Sequence, residues 1–226
     1  MTMTQGTCMS ILTLRHPSAP AVERLTAVDS PRLLARIAGV YYLLIFIVAP
    51  SGAATATPLR MLVTMACDTA VALIFYTLFK PVSRRLSLAA LAFRLIFVAI
   101  MTIGSLDYFG ALDLAGSAYS AHAFNTLYAL ALAPFGIHCL LSGCLIYRSK
   151  FMPRFLGVLL VLGGLAYATF MSPWLAGHVY PYNLIPGAVG EGLLTLWLLI
   201  SGLDIERWAD WNHALPEDLS QGRNPA

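Results

Sequence analysis

Apolar residues in this chain come in blocks of roughly twenty, separated by short polar breaks, instead of alternating at the period of an amphipathic helix or strand. A block of that length forms a helix long enough to cross the roughly 30 Å hydrocarbon layer of a bilayer. On this template the chain divides six times, at 37–57, 59–79, 86–106, 122–146, 154–173 and 184–203. The pattern predicts an all-α polytopic transmembrane bundle over residues 32–203. A tail of residues 1–31 precedes it and a tail of residues 204–226 follows, and no connection is long enough to fold as a domain of its own. The first span is the least regular, because Pro50, Ser51 and Gly52 leave only Ile37 to Ala49 strongly apolar. With Arg32 and Arg36 before it and Ala54-Thr55-Ala56 after it, that stretch also fits a cleavable signal peptide. The long lead-in and the even distribution of loop charge favour an uncleaved span.

Composition narrows the class further. Of the 226 residues 58% are hydrophobic and only 11% charged, and the mean hydropathy is +0.74. That is too little charge to coat a water-soluble domain of this size. A net charge of +3 would suit nucleic acid only if the cations shared one face, and here they fall in short clusters between apolar blocks. Nucleic acid is therefore not an expected partner; the lipid bilayer is. The four cysteines, Cys8, Cys67, Cys139 and Cys144, form no CxxC pair, and three lie inside apolar blocks where a thiol behaves as a small hydrophobe.

The cations also set the expected topology. With a cytoplasmic N-terminus, twelve of the fourteen Lys and Arg residues fall on the cytoplasmic side: Arg15, Arg24, Arg32, Arg36, Lys80, Arg84, Arg85, Arg148, Lys150, Arg154, Arg207 and Arg223. Arg60 falls in an outer connection and Arg94 inside a span. The positive-inside rule then places both termini in the cytoplasm, with an even number of crossings. Trp174, Tyr180, Tyr182, Trp208 and Trp211 sit at span ends, where aromatic belts form.

Four ionisable residues break the apolar pattern: Asp68, Arg94, His138 and Glu191. Charge in hydrocarbon is expensive, so each needs a partner or a purpose. At a helical rise of about 1.5 Å per residue, all four lie roughly 12–18 Å from the cytoplasmic ends of their spans, in one layer. The short connection Lys80 to Arg85 makes the second and third spans antiparallel neighbours, so an Asp68–Arg94 ion pair is expected. His138 could meet Glu191 if the bundle brings the fourth and sixth spans together. Such contacts can act as structural glue or, for His138 and Glu191, as a proton relay or polar-solute pocket.

Other chemistry is weakly supported. Cys67 with Asp68, and His138 with Cys139, offer metal-compatible groups, but adjacent helical residues point about 100° apart, so no metal site is expected. Only His138 is deep enough for haem ligation, and no HExxH, GxSxG or phosphate-binding loop is present, so no cofactor is expected. Gly143, Gly157, Gly163 and Gly164 suit close helix contact. Pro134 with Gly136, and Pro186 with Gly187 and Gly190, predict irregular backbone just outward of His138 and Glu191.

Several strings together carry a resemblance: Cys67-Asp68 with Ala72-Leu73 and Tyr76, Lys80-Pro81-Val82, Ala92-Phe93-Arg94-Leu95, His138-Cys139-Leu140-Leu141-Ser142-Gly143 leading to Leu145-Ile146-Tyr147-Arg148-Ser149, Pro153-Arg154-Phe155-Leu156-Gly157, and Gly190-Glu191 before Leu196-Trp197-Leu198-Leu199. They resemble domain-of-unknown-function family 4386, bacterial six-helix membrane proteins of uncharacterised function. The likeness runs from about Arg32 to Gly202, and His138 to Gly157 is its most specific part. The resemblance implies six spans, an uncleaved first helix, and Asp68, Arg94, His138 and Glu191 as parts of one arrangement. It implies no activity.

Three functional classes fit. A transport-like or ligand-binding protein would take a small polar solute or a proton at the mid-membrane layer. A non-catalytic subunit would use the layer as glue, with a second copy or another membrane protein as partner. An intramembrane lipid-modifying enzyme would use His138 and Glu191 as acid and base. No catalytic residue is assigned, and a non-enzymatic role is favoured.

Overall fold

The computed structural model describes residues 30–49, 53–110 and 121–213, and every regular element within them is helical. The tail expected over 1–31 lies, except for its last two residues, outside that set, as do Cys8, Pro50-Ser51-Gly52 and residues 214–226. Eight α-helices follow in chain order: α1 Pro31–Val48, α2 Pro58–Phe79, α3 Arg84–Tyr108, α4 Ala121–Ser149, α5 Arg154–Ala168, α6 Pro173–Val179, α7 Ile185–Ile200 and α8 Ile205–His213. Six stretches are long and apolar enough to cross a membrane, carried by α1 to α5 and α7.

Local chemistry explains the boundaries. Pro31 opens α1 and Pro58 opens α2, each where a missing backbone N–H leaves no helical bond unmade. Thr57 caps α2 by accepting from the Arg60 N–H at 3.3 Å. Ser83 caps α3 through the Leu86 N–H, and Ser172 caps α6 through the Leu175 N–H. The first span starts six residues earlier than its hydropathy suggested and ends at Val48 instead of residue 57. Pro31 nucleates the helix ahead of the strongly apolar stretch, and Ala53–Thr55 forms a separate 3₁₀ turn.

The spans stand in a ring that closes in chain order. α1 packs on α2, α2 on α3, α3 on α4, α4 on α5, α5 on α7, and α7 returns to α1. The first and last spans therefore lie side by side at the terminal end. There the Arg32 Nε donates to the Leu203 carbonyl at 3.3 Å and the Arg36 Nη2 to the Ile200 carbonyl at 3.5 Å.

Two physical devices hold the ring. Lipid tails are as apolar as leucine, so helix association relies on close packing and polar contacts instead of hydrophobic burial. The α4–α5 contact is made by glycines: a Cβ on Gly143 would stand 2.7 Å from the Gly157 carbonyl oxygen, and one on Gly164 2.7 Å from that of Gly136. The outer face of the ring is apolar and exposed at Leu62, Leu73, Leu88, Ile103 and Leu162. Inside, the terminal half is plugged by Phe75, Phe79 and Phe151, whose rings pack in series with centroids 5.6 and 5.5 Å apart.

Within the segment that follows the last span, residues 205–213 form α8. Its Trp208 indole donates to the Leu78 carbonyl at 3.0 Å, and Trp211 packs against the core. Nine residues with several charges are too short and too polar to register as a span, yet two tryptophans anchor them to the terminal end of the bundle.

Candidate functional site

Each span contributes a polar side chain to one buried cluster: Tyr42 from α1, Asp68 from α2, Arg94 from α3, His138 from α4, Tyr167 from α5 and Glu191 from α7. All are buried, with Arg94 and His138 at 1% exposure. The cluster has two halves, one organised by Arg94 and one by Glu191.

Arg94 sits where its donors reach three other helices. Its Nε and Nη2 donate to Asp68 Oδ1 at 3.0 and 2.5 Å, forming the ion pair the short Lys80–Arg85 connection led us to expect. Its Nη1 donates to the Tyr42 hydroxyl at 2.6 Å and lies 3.1 Å from His138 Nε2. A guanidinium can only donate, so this last contact makes Nε2 the acceptor. The ring hydrogen then lies on Nδ1, which donates to the Ala90 carbonyl at 2.8 Å. This is a neutral imidazole with both nitrogens engaged. The Phe135 ring lies 5.2 Å from the Arg94 guanidinium carbon and stacks beside His138, which closes the cluster on its α4 side.

Glu191 is held differently. Its Oε1 accepts from the Tyr167 hydroxyl at 3.1 Å. Gly187, one turn earlier on α7, lies directly against the Tyr167 ring, so a side chain there would collide with it. The glycine read as loosening α7 thus makes room for the tyrosine that orients Glu191. The His138–Glu191 contact considered from depth does not form. α5 stands between α4 and α7, and its Tyr167 takes the place a histidine would have needed.

Next to this layer lies a cavity of about 220 Å³ to which all six spans contribute. Its walls include Asp68, Arg94, Tyr128, Tyr167 and Glu191, whereas His138 lies behind them. The lining extends to Ala49 and Met61, close to the end of α1 and the start of α2, so the space leads toward the end of the bundle opposite the termini. The Phe75–Phe79–Phe151 packing closes the other direction. Asp68 Oδ2, Glu191 Oε2 and the Tyr128 hydroxyl make no hydrogen bond to a described residue. None of them is sealed off either: among the described residues, the fully enclosed side-chain polar atom without a partner is Asn183 Oδ1.

The volume bounds what could enter. It far exceeds the roughly 10–15 Å³ that one ordered water requires and falls short of the roughly 300 Å³ at which pockets for drug-sized ligands begin. Arg94 pairs with Asp68, whereas Glu191 is held by the Tyr167 hydroxyl, so the acceptors on the cavity wall suit a positive or hydrogen-bond-donating guest. Among the described residues no three His, Cys, Asp or Glu side chains converge as a metal ion would require.

Reasoning from sequence singled out Asp68, Arg94, His138 and Glu191 but passed over Tyr42, Tyr128 and Tyr167. The signal was there: a tyrosine deep in a span carries a hydroxyl that must find a partner or face a wet space. Belt tyrosines at span ends drew attention away from them.

Comparison with known proteins adds kinship without chemistry. The chain is 32% identical over 139 residues to an uncharacterized protein of Archaeoglobus fulgidus, an alignment covering 60% of this chain and 76% of that one. No solved structure matches it. A family described as a domain of unknown function, DUF4386, matches residues 49–202, which hold the whole cluster except Tyr42, and the chain belongs to that family.

Proposed function

We propose that this integral membrane protein binds a small cationic, hydrogen-bond-donating solute, or a proton, in its central cavity, as one step of a transport-like cycle. The observation that carries the reading is the pair of carboxylate oxygens, Asp68 Oδ2 and Glu191 Oε2, left without donors among the described residues on the wall of a 220 Å³ cavity beside the Tyr128 hydroxyl. Unpaired acceptors deep in a membrane are costly unless water or a guest supplies the missing donors. Asp68 is already tied to Arg94, so Glu191 is the carboxylate free to respond to a guest.

The proposed setting is a bacterial cytoplasmic membrane with both termini in the cytoplasm. Arg32, Arg36, Lys80, Arg84, Arg85, Arg148, Lys150, Arg154 and Arg207 all lie at the terminal end. At the other end, Arg60 is turned onto the end of α1, donating to the Val48 carbonyl at 2.8 Å and the Ala49 carbonyl at 3.4 Å. This distribution supports cytoplasmic termini, and the cavity then faces outward.

A second reading, a non-catalytic subunit docked to another copy or another membrane protein, is favoured by the Arg94 half, where nearly every donor is used in tying four helices together. The lipid-modifying alternative needs His138 and Glu191 at one cavity, and both His138 nitrogens are occupied behind the wall. The test is uptake of radiolabelled methylammonium into proteoliposomes by wild type and Glu191→Gln, with tetramethylammonium, which lacks N–H donors, as competitor. The proposal expects saturable uptake, lost in the variant and poorly inhibited by tetramethylammonium. Absence of uptake, or uptake indifferent to Glu191→Gln, overturns it in favour of the structural subunit.

A further inference from the structure

A second cavity, of about 390 Å³, opens at the terminal end between the start of α1, the α4–α5 connection and the α7–α8 connection. Three cations, Arg32, Lys150 and Arg207, face one carboxylate, Asp204, around it. Asp204 is already engaged, its Oδ2 lying 3.3 Å from the Arg207 Nε. Arg32 spends its Nε on the Leu203 carbonyl, which fixes the side chain and leaves its two terminal nitrogens without a described partner. Arg207 is positioned by donating from Nη1 to the Lys150 carbonyl at 3.1 Å. Arg32 and Arg207 are thus held by the fold with donors to spare.

Lys150 supplies the second observation. It follows the last residue of α4 at φ 59°, in the left-handed region that favours glycine, and it is the one non-glycine with positive φ among the described residues. A lysine kept at such a position is a reason to look for a use of its side chain. The surroundings narrow the ligand. Trp197 lines the cavity and packs edge-on against Phe155, ring centroids 6.3 Å apart, and Phe155, Leu196 and Ile200 present exposed apolar surface beside it on α5 and α7, with Ile200 72% exposed. A cationic recess at headgroup depth beside an apolar surface is the shape of a phospholipid, with its phosphate among the cations and its acyl chains along that surface.

We infer that this recess binds the phosphate of an anionic phospholipid headgroup. The site is separate from the central cavity and does not depend on its ligand. The full-length protein in zwitterionic detergent is titrated with dioctanoyl phosphatidylglycerol, dioctanoyl phosphatidylcholine and inorganic phosphate, following the thermal unfolding midpoint. Phosphatidylglycerol raises the midpoint saturably; phosphatidylcholine and inorganic phosphate at the same concentrations do not. Lys150→Gly separates recognition from folding, because glycine suits φ 59° and the unliganded midpoint stays equal or rises. The apparent affinity for phosphatidylglycerol falls about five-fold, as expected for loss of one interfacial lysine. Equal stabilisation by both lipids, or unchanged phosphatidylglycerol affinity in Lys150→Gly, overturns the inference. Stabilisation by inorganic phosphate as strong as by phosphatidylglycerol assigns the recess to a soluble anion and overturns the lipid.

Discussion

Replacing Arg94 by methionine, which keeps the length of the side chain and removes its charge, should be the most damaging single change in the polar layer. Asp68, 3% exposed, would be left as a buried carboxylate without its cation, and breaking a buried pair in this way costs about 3–5 kcal/mol. Tyr42 would lose its donor and His138 Nε2 would keep only the Ser142 hydroxyl at 3.4 Å, which pushes Arg94→Met toward the upper end of that range. Asp68→Asn also breaks the pair and leaves the guanidinium without its counter-ion, but an asparagine oxygen still accepts from it and the Tyr42 and His138 contacts remain, so its cost falls at the lower end of the same range, about 3 kcal/mol. The double variant Asp68→Asn/Arg94→Met removes both charges and should fall well short of the sum of the single costs. Reversible unfolding of the four proteins in mixed micelles with increasing sodium dodecyl sulfate, followed by tryptophan fluorescence, gives the cycle directly. Additivity within about 0.5 kcal/mol, or an Arg94→Met cost below that of Asp68→Asn, would refute Arg94 as the organising group.

The same geometry predicts that the reciprocal exchange Asp68→Arg/Arg94→Asp unfolds later than either Asp68→Arg or Arg94→Asp but earlier than wild type, since a guanidinium on α2 strands Tyr42 and His138. Gly143→Leu should lower the unfolding midpoint by the equivalent of about 1–3 kcal/mol, because its Cβ meets the Gly157 carbonyl; Gly192→Ala, with nothing within 4 Å, should leave it unchanged. Gly187→Ala and Tyr167→Phe disrupt one interaction by two routes, so their combined cost should be less than additive, as measured by the same unfolding assay. In a cysteine-free background, Ala54→Cys should react in intact cells with a membrane-impermeant maleimide and Lys80→Cys should not; the reverse labelling would overturn the proposed orientation.

How much of this was written in the sequence differs from one element to the next. The spans were legible because their apolar blocks match the bilayer in length, and the Asp68–Arg94 pair because a six-residue connection leaves α2 and α3 no choice but to be neighbours. The partner of His138 was not legible. Depth along a span fixes one coordinate, whereas the order of helices around the ring fixes the other, and that order depends on glycine contacts such as Gly143–Gly157 that place α5 between α4 and α7. Tyr167 and Gly187 became meaningful only once that neighbourhood was known. The start of α1 at Pro31 and the anchoring of α8 by Trp208 were missed for a related reason: both are set by local capping and side-chain contacts, to which a hydropathy window is blind.

A binding role requires the space bounded by Asp68, Tyr128 and Glu191 to be a wet, ligand-accessible site. An experimental structure of the protein in a lipid environment, at a resolution that shows ordered water, tests this most directly. Water or solute density is expected within hydrogen-bonding distance of Asp68 Oδ2, Glu191 Oε2 and the Tyr128 hydroxyl. A collapsed cavity in which those three groups are paired with one another or with neighbouring side chains would contradict that role and leave the polar layer as structural glue.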